Sequence, residues 1–124
     1  MTTAGNFGTL TVLWEDNSGG CKKRGISCLG PATYTGTTGS ELDLSSDATD
    51  GLGNGWDAFA AVYHVALGGV SPAASTKYRT IYVPAAAGAP ATGRVRIIDD
   101  EQATPAEPSG DLSGTTFYFV VMGR

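Results

Sequence analysis

The stretch Thr115-Thr-Phe-Tyr-Phe-Val-Val-Met122 decides the fold, because it is the most hydrophobic segment of the chain and consists mainly of β-branched and aromatic residues. Residues of these types favour strands over helices. We therefore expect this segment at the centre of a sheet, with the remaining strands arranged around it.

Three more segments predict strands. In Gly8-Thr-Leu-Thr-Val-Leu-Trp14, threonines alternate with apolar residues, which is the period of a strand with one buried face. Residues 77–83 and 94–98 are rich in β-branched and aromatic side chains. The small residues at positions 84–93 join these two segments and indicate a long, exposed hairpin loop.

Two segments leave alternatives open. Residues 58–67 are long enough and rich enough in alanine for a helix, but their apolar residues alternate. That alternation favours a strand, which we expect Gly68 and Gly69 to end. Residues 21–29 fit either one strand or a short hairpin interrupted at the basic tip Lys22-Lys23-Arg24-Gly25.

Turn-forming segments separate these strands. Glycine accounts for 18 of the 124 residues, and residues 15–20, 32–57 and 99–111 are polar or acidic, apart from a short alternating piece at 41–44. The pattern predicts an all-β fold, a β-sandwich or jelly-roll-like small barrel of about seven or eight short strands. We expect a single domain over residues 1–124 with an extended N-terminal arm at about 1–8.

The charge of the chain excludes several kinds of partner. The net charge is -4, and the eight Lys and Arg residues are scattered except at Lys22, Lys23 and Arg24. Binding to a phosphate backbone is therefore not expected. The chain has no apolar run of the roughly 20 residues that span a bilayer, and residues 1–6 lack the features of a signal peptide. We expect use in solution, with neither a nucleic acid nor a membrane as partner.

No group of residues predicts catalysis. His64 is the only histidine and lies in an apolar segment, where a hydrogen-bonded structural role is the simpler interpretation. The sequence contains no Gly-x-Ser-x-Gly nucleophile elbow. We expect no catalytic and no cofactor-binding residues; a small hydrolase that uses His64 with Asp99 or Asp111 is the rival hypothesis.

The cysteines and acidic residues favour structural roles over a metal site. In one continuous strand, Cys21 and Cys28 would lie on opposite faces and roughly 23 Å apart, so only a hairpin would join them, and two reduced thiols are expected. Residues 47–57 carry three aspartates and an asparagine among glycines, a composition that suits Ca²⁺ but also ordinary turns. Adjacent acids at 99–101 are expected to be solvated. We predict no metal site.

The aromatic residues Trp14, Trp56, Tyr34 and Tyr78 have two interpretations. Glycan-binding sandwiches present flat aromatic faces, but buried protein interfaces are also enriched in Trp and Tyr. Packing in the core or at a subunit interface is the favoured interpretation.

Two stretches together resemble small virion structural proteins of tailed bacteriophages, of the capsid decoration or cement type. They are Tyr34-Thr-Gly-Thr-Thr-Gly-Ser-Glu-Leu-Asp-Leu-Ser45 and Gly110-Asp-Leu-Ser-Gly-Thr-Thr-Phe-Tyr-Phe-Val-Val-Met-Gly-Arg124. In that group, a glycine-rich turn precedes a leucine-containing segment, and the chain finishes with a Gly-Asp-Leu-Ser turn and an apolar strand. The resemblance covers about a third of the chain.

The resemblance implies a non-enzymatic protein on the outer surface of the virion, assembled in the host cytoplasm, that binds the major capsid protein, often as a homotrimer. It would stabilise the mature shell by bridging capsid subunits. Contacts with the capsid or between subunits are expected in the N-terminal arm and in loops 36–57 and 84–93. The individual contact residues that we predict are Asn6, Phe7, Lys22, Lys23, Arg24, Tyr34 and Trp56.

Three alternatives stay open. The first is a carbohydrate- or receptor-binding module of a virion fibre or tail tip that uses Trp14, Trp56 and Tyr78. The second is the hydrolase. The third is an inner scaffold or head-completion protein, which differs from a decoration protein chiefly in position.

Overall fold

The computed structural model describes residues 2–34, 39–45, 48–49, 55–56, 59–71, 78–85, 91–100 and 111–124. These residues form ten strands and one 3₁₀ turn at Ser18–Gly20, without an α-helix among them. The strands are β1 (Thr2–Ala4), β2 (Phe7–Asp16), β3 (Lys22–Leu29), β4 (Ser40–Glu41), β5 (Ala48–Thr49), β6 (Gly55–Trp56), β7 (Val62–Ser71), β8 (Tyr78–Val83), β9 (Arg94–Asp99) and β10 (Thr116–Gly123).

The strands form two facing antiparallel sheets and one small ribbon. The first sheet has five strands in the order β1-β2-β3-β10-β7, the second has three in the order β4-β9-β8, and β5 pairs only with β6. Side chains from both larger sheets meet in one core. The prediction of an all-β sandwich is confirmed.

The strand β10 lies between β3 and β7, as its apolar composition predicts. It is hydrogen-bonded to β3 from Thr116 to Gly123 and to β7 on its other side. Phe117, Phe119 and Val121 are fully buried and face the second sheet, whereas the alternate residues face outward. Burying three large side chains of one strand contributes roughly 1.5–3 kcal/mol each to folding.

Aromatic rings form the middle of the core. The ring of Phe7 stands edge-on to those of Phe117 and Phe119, at centroid distances of 6.1 and 5.7 Å. Phe117 and Phe119 stack at 5.9 Å. From the second sheet, Val95 and Ile97 pack against this group with no exposed surface. Edge-on and stacked pairs are the favoured ring geometries, so the three rings fix how the first sheet packs.

Both ambiguous segments are strands. Residues 62–71 form β7, so the preference for a strand at 58–67 is confirmed, although the strand begins later and continues through Gly68 and Gly69. The hairpin alternative for residues 21–29 is wrong. Strand β3 is continuous over the basic residues because β2 and β10 pair with it on both sides up to Lys23.

Four residues are extra members of the five-stranded sheet. The pairing register shifts at Gly8 and Leu13 in β2 and at Tyr63 and Gly68 in β7, and each shift leaves one residue without an opposite partner on the neighbouring strand. A bulge of this kind bends the strand and redirects its side chains. Leu13 and Tyr63 are consequently the two most exposed large apolar residues described, at 51% and 57%.

The N-terminal residues do not extend away as an arm. Residues 2–4 form the edge strand β1, which turns back onto β2 through Gly5 and Asn6. Gly5 has φ of 67°, and a Cβ there would lie 2.6 Å from the Glu41 carbonyl oxygen. The Asn6 amide donates to that oxygen at 2.9 Å, and its side-chain Oδ1 accepts from the Glu41 amide at 3.1 Å. These bonds tie the first sheet to β4.

Tyr34 supports the second sheet from within. Its hydroxyl accepts a hydrogen bond of 2.8 Å from the Ile97 amide and lies 3.5 Å from the Ile97 carbonyl oxygen. Among the described residues, β4 pairs with β9 at Val95 and Arg94, and the Tyr34 hydroxyl supplies the acceptor for the Ile97 amide two residues farther along β9. Its side chain is buried, at 5% exposed.

We expect Tyr34→Phe to lower the free energy of unfolding by about 1–3 kcal/mol, because the buried Ile97 amide loses its acceptor. Denaturant titration followed by circular dichroism measures the change. Tyr63→Phe is the matched control, since the Tyr63 side chain is 57% exposed and its loss of a hydroxyl should leave stability unchanged. Equal stabilities of the Tyr34→Phe variant and the unmodified chain would contradict this role.

Candidate interaction surfaces

The structure divides the seven predicted contact residues into two groups. Phe7, Arg24 and Tyr34 are buried, at 1%, 0% and 5% exposed. Their side chains serve the core of this chain, so the prediction that they reach a partner is corrected. Asn6 is exposed, Lys22 and Lys23 are half-buried, and Trp56 pairs through its backbone with Ala48 in the ribbon. For these four, a partner contact stays a prediction.

Arg24 is buried because partners for its charge lie within the fold. Its Nε lies 3.2 Å from a carboxylate oxygen of Glu15, the residue opposite it on β2. Its Nη1 donates to the Asn17 side chain at 2.7 Å and to the Lys23 carbonyl at 3.0 Å. The guanidinium also lies 5.7 Å from the centroid of the Phe59 ring. Burial of a charge requires such pairing. The run of three basic residues in the sequence did not indicate that Arg24 has these partners.

The outer face of the five-stranded sheet carries an aromatic groove. Trp14 lies opposite Gly25, and Tyr118 and Val120 project from β10 beside them. The groove has a volume of about 480 Å³. It is lined by Leu13, Trp14, Gly25, Ile26, Gly68, Gly69, Val70, Tyr118, Phe119 and Val120. We call it the Trp14 groove.

The outer face of the three-stranded sheet carries a different surface. Ile81 and Val83 project outward from β8, 40% and 39% exposed, and the residues opposite them on β9 are Arg96 and Arg94. Arg79 projects on the same side and forms an exposed ion pair of 2.8 Å with Asp100. We call Arg79, Ile81, Val83, Arg94 and Arg96 the arginine-rimmed patch.

The remaining predicted residues do not converge on a reaction centre. His64 is exposed on the outer face of β7, opposite Met122, so it is not the hydrogen-bonded interior residue that we expected. Asp99 is buried on the opposite, inward side of β9. Asp111 is exposed; hydrogen bonds from the Ser113 hydroxyl and amide lower the pKa of its carboxyl, as in a turn. The structure therefore does not bring His64 together with either acid.

Metal-ligating residues do not cluster in the part of the chain that the structure describes, where no group of three or more His, Cys, Asp or Glu is placed to hold an ion. Most of the aspartate-rich segment at 47–57 lies outside the described residues. Half of each predicted contact loop, 36–57 and 84–93, lies outside them as well. Among the described residues, no helix is long and apolar enough to cross a bilayer.

The favoured interpretation of the aromatic residues, packing in the core, is confirmed for Tyr34 and Tyr78, whereas Trp14 is not part of the core. Trp14 is 45% exposed, but Tyr34 is buried and Tyr78 packs against the core, with its ring 6.3 Å from that of Phe117. Sequence reasoning missed Tyr118, which is 38% exposed and completes the groove. The available signal was its position between Phe117 and Phe119, because alternation puts it on the face opposite theirs.

The two cysteines have different environments. Both are free thiols; Cys21 is half-buried and Cys28 is buried on the inner face of β3. Burial raises the pKa of the Cys28 thiol far above its usual range. The thiolate is the reactive form, so Cys28 is unreactive in the folded protein.

We expect an aromatic disulfide reagent to label one thiol per folded chain and two after denaturation, measured by the absorbance of the released thiolate. Cys28→Ser should leave the folded-state labelling unchanged, whereas Cys21→Ser should abolish it. Labelling of both thiols at equal rates in the folded protein would contradict the burial of Cys28.

Comparison of the chain with protein-family models, with curated proteins and with solved structures finds no match. The surfaces described above are thus the basis for assigning a function.

Proposed function

We propose that this protein is a non-enzymatic capsid decoration protein of a tailed bacteriophage. It binds the major capsid protein on the outer surface of the head and stabilises the mature shell by bridging capsid subunits. The sequence resemblance at residues 34–45 and 110–124 supports this class. A homotrimer that caps a symmetry axis is the assembly that we propose.

The observation that carries the proposal is the arginine-rimmed patch. Protein interfaces have an apolar centre within a polar rim, and arginine is enriched in them because its planar guanidinium forms several directed hydrogen bonds. Ile81 and Val83 supply the apolar centre, and three arginines surround it. The outer face of a sheet that meets only water is normally polar. This face is therefore suited to cover by another protein.

The charges on this face indicate the chemistry of the partner. Two carboxylates share the face with the three arginines, because Asp100 pairs with Arg79 and Glu41 lies opposite Arg94. The face therefore carries an excess of positive charge, although the whole chain has a net charge of -4. An acidic surface with exposed apolar side chains is the matching partner.

The edge strand β7 offers a second means of attachment to a neighbouring subunit. Strand β7 ends the five-stranded sheet, and none of its ten residues is Lys, Arg, Asp or Glu. Such charges normally protect an edge from pairing with another chain. An edge without such charges can receive a strand from a neighbouring subunit through backbone hydrogen bonds, although the bulges at Tyr63 and Gly68 limit the length of β7 that can pair. Several weak attachments per trimer would then act together, because dissociation requires all of them to fail.

We expect Ile81→Lys and Val83→Lys each to weaken binding to mature capsids at least tenfold, because a fourth cation enters the apolar centre of the patch. Binding is measured by cosedimentation with expanded capsids, and the copies bound per capsid by quantitative gel analysis. The unmodified chain should saturate at a number fixed by icosahedral symmetry and raise the temperature at which the capsids disrupt. Higher salt should weaken binding.

Ala60→Lys is the matched control. It adds the same charge at an exposed position that precedes β7 and lies outside the patch. It should bind like the unmodified chain. Equal binding to unrelated protein shells, or undiminished binding by both patch variants, would refute the proposal.

A further inference from the structure

The Trp14 groove lies on the outer face of the sandwich opposite the arginine-rimmed patch, so a protein held through the patch leaves this groove facing away. We propose that the groove is a binding site for a neutral saccharide, with the Trp14 indole as the platform on which a sugar ring stacks. This inference does not depend on the proposed function, because the two surfaces lie on different sheets.

The indole of Trp14 lies flat on the sheet. A Cβ placed on Gly25 would come closest to Nε1 of the indole and would lie 2.5 and 2.6 Å from Cε2 and Cδ1. Cε2 and Cδ1 are the two ring atoms bonded to Nε1. Because both lie almost as close to the added Cβ as Nε1 does, the glycine meets the face of the ring and not its edge. Any side chain at position 25 would therefore displace the indole. Gly25 covers one face of the ring. The other face is at the protein surface, and Trp14 is 45% exposed.

The ring has to be held in this orientation for a sugar to stack on it. The register shift at Leu13 brings Trp14, and not its neighbour, opposite Gly25. The next residue, Glu15, is fixed by its ion pair with the buried Arg24. An indole that already lies against Gly25 loses little conformational entropy when a ligand covers its other face.

The shape and charge of the groove fit a neutral sugar. Its volume of about 480 Å³ lies within the range of small-molecule sites. Glycines at 68 and 69 leave part of its floor open, and none of the described lining residues is charged. On this face Lys23 lies opposite Asp16, so the cation next to the groove is already balanced by a carboxylate. The apolar face of a neutral pyranose would cover the indole without burying a charge.

Side chains that can form hydrogen bonds with sugar hydroxyls lie beside the Trp14 groove. Tyr118 supplies a phenolic hydroxyl, and Thr11 and Ser27 lie with it in one cross-strand row on the outer face. Gly68 is the extra residue of a bulge in the edge strand β7, and no residue of β10 lies opposite it. Hydroxyl groups both donate and accept hydrogen bonds, as recognition of a polyhydroxylated ligand requires.

The test uses the full chain with Trp56→Phe, so that Trp14 is the only source of indole fluorescence. This protein is first applied to an array of neutral oligosaccharides built from glucose, galactose, mannose and N-acetylglucosamine. The strongest binders are then titrated in solution. We expect a saturable change in Trp14 emission and no dependence of the affinity on salt.

Two variants distinguish loss of the Trp14 stacking surface from loss of the folded structure. Trp14→Ala should weaken binding at least tenfold. Gly25→Ala should do the same although the indole is still present, because the new methyl group displaces it. Tyr63→Ala is the control, since it removes an exposed aromatic residue that does not line the groove. It should bind like the parent. Near-ultraviolet circular dichroism checks that each variant is folded.

The proposal is overturned if no neutral saccharide binds saturably, or if Trp14→Ala binds as well as the parent. It is also overturned if only acidic polysaccharides bind and salt abolishes that binding, because the arginine-rimmed patch would then be their site. A Trp14 emission change on adding capsids, with none on adding saccharides, would assign the groove to a protein partner instead.

Discussion

The fold depends on the register of β10 between its two neighbours. This strand is hydrogen-bonded to β3 and to β7 along its length. Because side chains alternate between faces, a slip of one residue would turn Phe117 and Phe119 to the outside and bring Tyr118 into the core. The aromatic cluster around Phe7 opposes that slip. The same register places Tyr118 and Val120 beside Trp14, so the packing of the core also determines the composition of the outer groove.

The long strands could be predicted from the sequence, because each has the composition or alternation of a strand. The segments at 115–122, 77–83 and 94–98 correspond to β10, β8 and β9, and the hairpin that joins the last two is confirmed by their pairing. The position of β10 inside the sheet was predicted because this segment is the most hydrophobic of the chain. The very short strands β5 and β6 have too few residues to show a period, whereas β4 overlaps the predicted alternating piece at 41–44, where Leu42 and Leu44 are buried.

The interaction surfaces were less predictable, because they depend on details that composition does not encode. A basic run such as 22–24 suggests solvent exposure, but Arg24 is neutralised by Glu15, a residue on the neighbouring strand. The arginines of the patch are separated along the sequence, and only the pairing of β8 with β9 brings them to one face. Bulges at Leu13 and Gly68 change which side chains face outward, and a strict alternation cannot locate them.

The position of β10 in the sheet also affects how the protein is made. Its partner β3 ends at Leu29, whereas β10 begins at Thr116, so a ribosome must complete most of the chain before these strands meet. Contacts between such distant segments slow folding, because the entropy of closing the intervening loop is lost before the contact forms. Until then, the apolar inner side of β3 is exposed on the nascent chain. Rapid synthesis in large amounts therefore favours aggregation of unfinished chains, and slower expression at low temperature should increase the yield of folded protein.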